Sequence, residues 1–265
     1  EISNDKSFTL IVGPCVIENR DHMLKIAESI NKICNETNTK FIFKASFDKA
    51  NRTNIKSARG VSIHEALKIF SEIKTNFQCP IITDVHNEFQ CKELEKNDIV
   101  DIIQIPAFLC RQTDLLIAAG NTKKIVNVKK GQFLSPYDIP NIVEKIHSTK
   151  NDNILITERG TSFGYNNLVN DFRSLDIMKK FECPVFFDAT HSVQEPGGLG
   201  HVSGGKREFI PVLAIAAVSV GIAGIFIETH EDPDNAPSDG PNMLNLKDLK
   251  ELVLKLKDFD NLAKS

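Results

Sequence analysis

No stretch of this 265-residue sequence approaches the roughly 20 consecutive apolar residues that a membrane-spanning helix needs, so no membrane partner is expected. There is no large excess of one charge: 32 Lys and Arg face 35 Asp and Glu, a net −3. That gives no electrostatic reason to expect nucleic acid as a partner. The six cysteines (Cys15, Cys34, Cys79, Cys91, Cys110 and Cys183) contain no Cys-x-x-Cys pair. Their scatter reads as reduced thiols, mostly core filler, in a cytoplasmic protein, and not as a disulfide framework. A dinucleotide-binding glycine turn is missing too, because Gly13-Pro-Cys-Val has the wrong spacing. Without a low-complexity linker, residues 1–265 read as a single domain. The opening Glu1-Ile-Ser-Asn-Asp-Lys6 is unlike a signal peptide, and with no leading Met the start reads as trimmed.

What the chain does have is alternation. Apolar, strand-like runs at residues 8–16, 40–46, 80–85, 99–106, 124–130, 153–159, 184–191 and 224–230 are separated by helix-period stretches. These stretches cover 21–35, 62–76, 88–96, 114–119, 136–149, 167–180 and 207–220, with a last helix over 244–263. Strict strand–helix alternation implies a parallel sheet. Eight such units in a chain of 265 residues predict an α/β fold, a (β/α)8 TIM barrel. On the last helix, Leu246, Leu249, Val253, Leu256 and Phe259 share one face, predicted to lie on the core. Two connections are longer than a barrel needs: the basic segment 47–61 and the Gly-rich segment 192–206. Long βα connections of this kind are functional or disordered. A third, 231–242, carries Asp232, Asp234 and Asp239 among prolines, which also suits a charged, solvated turn.

The strand-like runs end, in order, on Cys15, Lys44, Asp84, Gln104, Lys129, Arg159, His191 and Glu228. In a barrel these ends meet around one mouth, where active sites lie. Lys44, Lys49, Lys129 and Arg159 form a cationic set, with Arg52 and Arg111 further out. Such charges repel one another unless a multiply charged anion sits among them; phosphate and carboxylate groups fit that need. The segment from Phe43 to Thr53 concentrates this character, although a solvated surface loop has the same composition. Cys15, His191, Glu228 and Asp239 supply a thiolate, an imidazole and two carboxylates. Mixed S, N and O donors suit a divalent zinc, iron, manganese or cobalt ion better than magnesium. Each has a plainer account as well: Cys15 as a small core residue, His191 as a core histidine bonded to backbone. Nothing in the spacing separates Asp239 from Asp232 and Asp234.

Nine motifs occur in order: Gly13-Pro-Cys-Val-Ile-Glu18, Lys44-Ala-Ser-Phe-Asp-Lys-Ala-Asn-Arg-Thr53, Thr83-Asp-Val-His86, Gln104-Ile-Pro-Ala-Phe-Leu109, Arg111-Gln-Thr-Asp-Leu115, Asn127-Val-Lys-Lys-Gly-Gln-Phe133, Thr157-Glu-Arg-Gly-Thr-Ser-Phe-Gly-Tyr165, Asp188-Ala-Thr-His-Ser-Val-Gln194 and Ser238-Asp-Gly-Pro-Asn242. Over nearly the whole chain this pattern resembles the 3-deoxy-D-manno-octulosonate 8-phosphate synthase family. The resemblance implies a homotetrameric barrel that condenses phosphoenolpyruvate with D-arabinose 5-phosphate and water and releases inorganic phosphate. The product of that family feeds lipopolysaccharide synthesis. Carried over residue by residue, the resemblance implies that Lys44, Ser46, Lys49, Gln104, the Ala107 amide, Lys129, Arg159 and His191 bind substrate, chiefly the donor. It also implies that Asn51, Arg52 and Thr53 meet the acceptor phosphate, with Arg111 reaching in from a neighbouring subunit. Asp84 becomes a contact for a sugar hydroxyl or a proton relay, within a catalytic set of Lys44, Lys49, Asn51, Asp84, Lys129, Arg159 and His191.

The family divides into metal-dependent and metal-independent classes, and the latter carries Asn where this chain has Cys15. Cys15 therefore implies the metal-dependent class, with Cys15, His191, Glu228 and Asp239 as ligands. The nearest rival, 3-deoxy-D-arabino-heptulosonate 7-phosphate synthase, uses erythrose 4-phosphate and has Lys-Pro-Arg in the second loop. Here that loop reads Lys49-Ala-Asn-Arg52, and Asn51 offers an amide where proline offers none. A non-catalytic sugar-phosphate-binding barrel would keep the cations without needing the thiol set. The chain departs from the resembled pattern at residues 55–61 and at Glu231, where proline is usual.

Overall fold

In the computed structural model, residues 1–51, 54, 59–197 and 204–265 are described. The eight apolar runs form strands β1 (Thr9–Gly13), β2 (Phe41–Lys44), β3 (Ile81–Asp84), β4 (Ile102–Ile105), β5 (Ile125–Lys129), β6 (Ile154–Glu158), β7 (Val185–Asp188) and β8 (Gly224–His230). Each pairs in parallel with the next, and β8 returns to β1 with Thr9 opposite Gly224 and Gly13 opposite Glu228. The predicted (β/α)8 barrel is therefore closed. Helices α1 (Arg20–Glu36), α2 (Ile63–Phe77), α3 (Glu88–Glu95), α4 (Thr113–Asn121), α5 (Ile139–His147), α6 (Arg173–Lys179), α7 (Ile210–Val218) and α8 (Leu249–Ala263) occupy the crossovers and the C-terminal position. Three begin with a side-chain cap: Asn19 accepts from His22 N, Ser62 from Glu65 N, and Asn87 from Gln90 N.

Strand alternation sorts the apolar residues into two cores. Ile11, Ile42, Ile82, Ile102, Leu155, Phe186 and Phe226 point inward and fill the barrel. The larger core, with Leu10, Phe43, Ile103 and Ile225 among its strand residues, lies between strands and helices. Gly13 sits where β1 crosses closest to β2: a Cβ there would come within 1.9 Å of Lys44 O. Only glycine lets these two strand ends close on each other.

The strands are shorter than the apolar runs. Cys15, Arg159 and His191 lie just beyond the ends of β1, β6 and β7, and the last ladder residues of β6 and β7 are Glu158 and Asp188. The predicted helix over 167–180 is also shorter. A small antiparallel pair, Thr161–Ser162 with Leu168–Val169, takes its first residues, and helix begins only at Arg173. On α8, Leu249, Val253 and Leu256 are buried as expected, but Phe259 is exposed. The buried position of that last turn belongs instead to Asp260. Its carboxylate accepts the Phe8 N–H at 2.9 Å and pairs with Lys264 Nζ at 2.6 Å.

Candidate active site

The strand ends surround a cavity of about 670 Å³ lined by Lys44, Lys49, Lys129, Arg159 and His191, with Asp239 on its rim. Beneath it sits Glu228, carried inward by β8 and fully buried. Lys44 Nζ, brought alongside from β2, donates to Glu228 Oε1 at 2.6 Å and to Cys15 O at 3.2 Å. Lys49 Nζ lies 3.9 Å from the same carboxylate oxygen. Burial favours the neutral carboxyl, but Lys44, His191 and Lys49 outweigh it and draw Glu228 below its ordinary range. Lys49 is the mirror case: burial opposes its charge, yet Cys15, Glu228, Asp239 and Asp84 hold its pKa well above the usual lysine value.

Asp188 organises the opposite wall. Its Oδ1 accepts from Thr190 N, Thr190 Oγ1 and His191 N, and its Oδ2 takes the Lys129 ammonium and His191 Nδ1. The 2.7 Å contact from His191 Nδ1 fixes the proton on that nitrogen and turns the Nε2 lone pair toward Glu228 Oε2 (3.7 Å) and Asp239 Oδ2 (4.0 Å). Lys129 Nζ also stands 3.3 Å from the centroid of the Phe226 ring. Burial pushes Lys129 down to about 8, against the opposing pull of Asp188.

The bound anion expected from sequence is not needed for the cations to coexist, because carboxylates of the chain already stand among them. Glu228 answers Lys44 and Lys49, and Asp188 answers Lys129. The anion signal is narrower. Arg159 is buried and its Nη2 donates to Gln194 Oε1 at 2.9 Å, while its Nη1 is buried with no hydrogen-bond partner among the described residues. A buried guanidinium N–H left unmade is costly, and a phosphate or carboxylate in the mouth supplies the acceptor.

A polar chain crosses the barrel below the rim. Ser46 Oγ and Gln104 Nε2 both donate to Asp84; Asn127 Nδ2 donates to Gln104 Oε1 at 2.9 Å, and Thr157 Oγ1 to Asn127 Oδ1 at 2.7 Å. Ser46 is thus turned to Asp84 and does not line the cavity, whereas Gln104 does. Lys44 and Lys49 overcome burial and hold Asp84 well below the ordinary carboxylate range. Asn51 and Ala107 lie on the lining, the latter opening a short 3-10 helix, Ala107–Leu109. Arg111 is exposed and lies outside the lining. Arg52 and Thr53 lie outside the described residues, as do 55–58 and 198–203 of the two long connections.

Three of the four groups read as metal ligands cluster, and the fourth, His191, reaches two of them, Glu228 and Asp239. Donor atoms of Cys15, Glu228 and Asp239 lie within 4.8 Å of one another. The Cys15 thiol donates its one proton to Asp239 Oδ2 at 3.0 Å, and its Sγ lies 3.2 Å from Ser238 Oγ. Burial and then the nearby Asp239 and Glu228 carboxylates push this thiol well above its usual pKa. Glu228 Oε2 is buried without a hydrogen-bond partner among the described residues. A thiol, two carboxylates and an imidazole lone pair gathered around an unsatisfied oxygen fit a divalent cation, which would reverse the repulsion that keeps the thiol protonated. The Asp188–His191 contact is the outer carboxylate typical of a metal-binding histidine. Of the three aspartates in 231–242, Asp239 is the one whose carboxylate lies beside Cys15, on a left-handed backbone (φ 53°).

Sequence reasoning missed two residues. Asp188 lay inside a quoted motif without a role, although a strand-end carboxylate in a barrel has the same claim on the mouth as Glu228. Glu158 was passed over for Arg159. It is buried, accepts the N–H groups of Arg159 (2.9 Å) and Gly160 (2.8 Å), and stands 3.4 Å from the buried Lys130 Nζ. Glu158 thereby sets the turn that aims Arg159, a turn completed by Gly160 at φ 90°.

A parallel barrel with paired cations and a thiol–carboxylate cluster at the C-terminal ends of its strands defines an enzyme that handles small anionic substrates. The chain belongs to the DAHP synthetase I family, whose model matches residues 1–265. Among similar proteins, one from Bartonella quintana (strain Toulouse) is 55% identical over 262 residues, covering 99% of this chain and 94% of its own. One from Rickettsia bellii (strain OSU 85-389) is 57% identical over 264 residues, covering 100% and 96%. One from Rickettsia prowazekii (strain Madrid E) is 57% identical over 264 residues, covering 100% and 95%. All three are named 2-dehydro-3-deoxyphosphooctonate aldolase.

Proposed function

We propose that the chain condenses phosphoenolpyruvate with D-arabinose 5-phosphate and water, giving 3-deoxy-D-manno-octulosonate 8-phosphate and inorganic phosphate. The name shared by full-length relatives at 55–57% identity carries the choice of acceptor over erythrose 4-phosphate. The buried Arg159 with its unmet Nη1 supports an anionic donor in the mouth. In this reading Lys49, Lys129 and Arg159 grip the donor, and Asn51 on the second loop reaches the acceptor. The family resemblance assigns Arg52 and Thr53 to the acceptor phosphate as well. The enol carbon C3 attacks the aldehyde carbon, water adds at C2, and the resulting hemiketal phosphate loses phosphate by C–O cleavage. Holding both substrates in line supplies orientation on the order of several kcal/mol. Asp84, kept ionised by Lys44 and Lys49, is placed to accept from a sugar hydroxyl.

The metal-dependent class is part of the same proposal. Cys15, His191, Glu228 and Asp239 would hold a zinc, iron, manganese or cobalt ion, whose Lewis acidity would act beside the reacting carbons. Its support is the cluster of Cys15, Glu228 and Asp239 donors, the approach of His191 to the two carboxylates, and the orphaned Glu228 oxygen. A homotetramer is proposed too. Phe108, Phe133, Phe163 and Tyr165 are exposed on neighbouring loops, and Ser162 N bonds Gln132 O to tie two of these loops together. That apolar surface near Arg111 suits a second copy of the chain. A cytoplasmic location goes with six free, buried thiols. No helix among the described residues is long and apolar enough to cross a membrane. Phosphate release from the two substrates, with and without a chelator and with erythrose 4-phosphate as competing acceptor, tests these readings together. Release with erythrose 4-phosphate alone refutes the acceptor, and full activity after chelation refutes the metal.

A further inference from the structure

A second cluster of donors lies outside the mouth. Glu18 follows β1, His22 stands in the first turn of α1, and His230 closes β8 with Glu231 next to it. Donor atoms of Glu18, His22 and His230 fall within 4.8 Å of one another. His22 Nε2 lies 3.0 Å from Glu231 Oε2, which puts the imidazole proton on Nε2 and turns the Nδ1 lone pair away. That lone pair faces Glu18 Oε1 at 3.9 Å. Nδ1 is buried with no hydrogen-bond partner among the described residues. A lone pair opposite a carboxylate oxygen is repulsive unless a cation lies between them. The surroundings hold both groups in this pose. His230 Nδ1 accepts the Asp232 N–H at 2.9 Å, so its Nε2 carries the proton and donates to Glu18 Oε1 at 2.9 Å. The Lys25 ammonium reaches the other oxygen of Glu231, at 3.5 Å, and so leaves this gap open.

We propose that His22 Nδ1 and the Glu18 carboxylate form a second divalent-cation site, for a borderline ion such as Zn²⁺ or Co²⁺, braced by His230 and Glu231. Nitrogen and oxygen donors suit those ions, and the His22–Glu231 contact repeats the carboxylate–histidine–metal arrangement. Ligands at about 2.1 Å in tetrahedral geometry sit roughly 3.4 Å apart, so the observed gap of 3.9 Å needs only a small closure. The side chain of Glu18 is partly exposed, which leaves water access to the remaining positions. An ion here joins the segment after β1 to the first turn of α1, while His230 and Glu231 brace its ligands from the end of β8. The site stands independently of the Cys15 cluster.

Chelator-stripped protein dialysed against Co²⁺ tests the proposal. Two equivalents are expected in the wild type: one with sulfur-to-cobalt charge-transfer absorption, from Cys15, and one without it. His22→Gln and Glu18→Gln each lose the equivalent without the sulfur band and keep the band. Cys15→Ala loses the band and keeps the other equivalent. A wild type with no band but one His22-dependent equivalent removes the Cys15 site and leaves this one standing. Cobalt uptake unchanged by both His22→Gln and Glu18→Gln overturns the proposal. So does a His22 imidazole that remains doubly protonated, by nitrogen NMR, in Zn²⁺-treated protein.

Discussion

Glu158→Gln keeps the shape of a buried carboxylate and removes its charge. In the native chain Glu158 Oε1 accepts two backbone N–H groups, and Oε2 accepts the Ser174 hydroxyl at 3.0 Å with Lys130 Nζ at 3.4 Å. The amide oxygen can keep both backbone donors, and its NH2 can donate to Ser174 in place of accepting from it. What cannot be replaced is the counter-charge of Lys130, which is itself buried. Stripping one partner from a buried ion pair costs about 3–5 kcal/mol. Lys130 Nζ retains Leu134 O at 3.0 Å and Gly131 O at 3.4 Å, so the lower end, about 3 kcal/mol, is expected. For a domain of this size that corresponds to a fall in Tm of roughly 6–9 °C, read by scanning calorimetry. Adding Lys130→Met removes the stranded charge and should restore most of the loss. A Tm within about 2 °C of wild type, which by the same scaling is less than 1 kcal/mol, would refute the reasoning.

Cys15→Ala should lose the metal-supported phosphate release and bound metal together, whereas Cys15→Asn should retain turnover that a chelator does not abolish; metal analysis and a phosphate assay check both. Lys129 is charged below about pH 8 and neutral above it, so kcat/KM for phosphoenolpyruvate should fall as pH rises through about 8. In Lys129→Arg, whose guanidinium stays charged, that inflection should move out of range; the same inflection in both proteins counts against Lys129 as its source. Asp260→Ala removes the acceptor of the Phe8 N–H and the partner of Lys264. A loss of about 2–3 kcal/mol is expected in thermal or urea unfolding, with Asp260→Asn recovering part of it through the retained acceptor.

The barrel was legible because alternation of apolar runs and helical periods leaves few other architectures. The convergence of Cys15, His191, Glu228 and Asp239 was legible for a related reason: a closed barrel turns distant strand ends into neighbours. The countercharges were not. Asp188 and Glu158 are chosen by strand register, which brings Glu158 beside Lys130 at the end of the neighbouring strand and Asp188 to Lys129 from two strands away, and register is not written in any one segment. The short pair Thr161–Ser162 with Leu168–Val169 was hidden by a stretch whose later residues do form helix. Phe259 was misplaced because periodicity cannot tell an apolar face from one whose last turn buries a carboxylate for the N-terminal strand.

The join between β1 and β8 has a consequence for the order of events in biosynthesis. Cys15 emerges from a ribosome more than two hundred residues before Glu228 and Asp239, and Lys44 waits almost as long for its carboxylate. Until the final strand slides in beside the first, the nascent polypeptide has neither a finished mouth nor the carboxylates that face Cys15 and Lys44. Competence therefore arrives in one step, once that strand has been made, and a prematurely terminated product lacking it is inert.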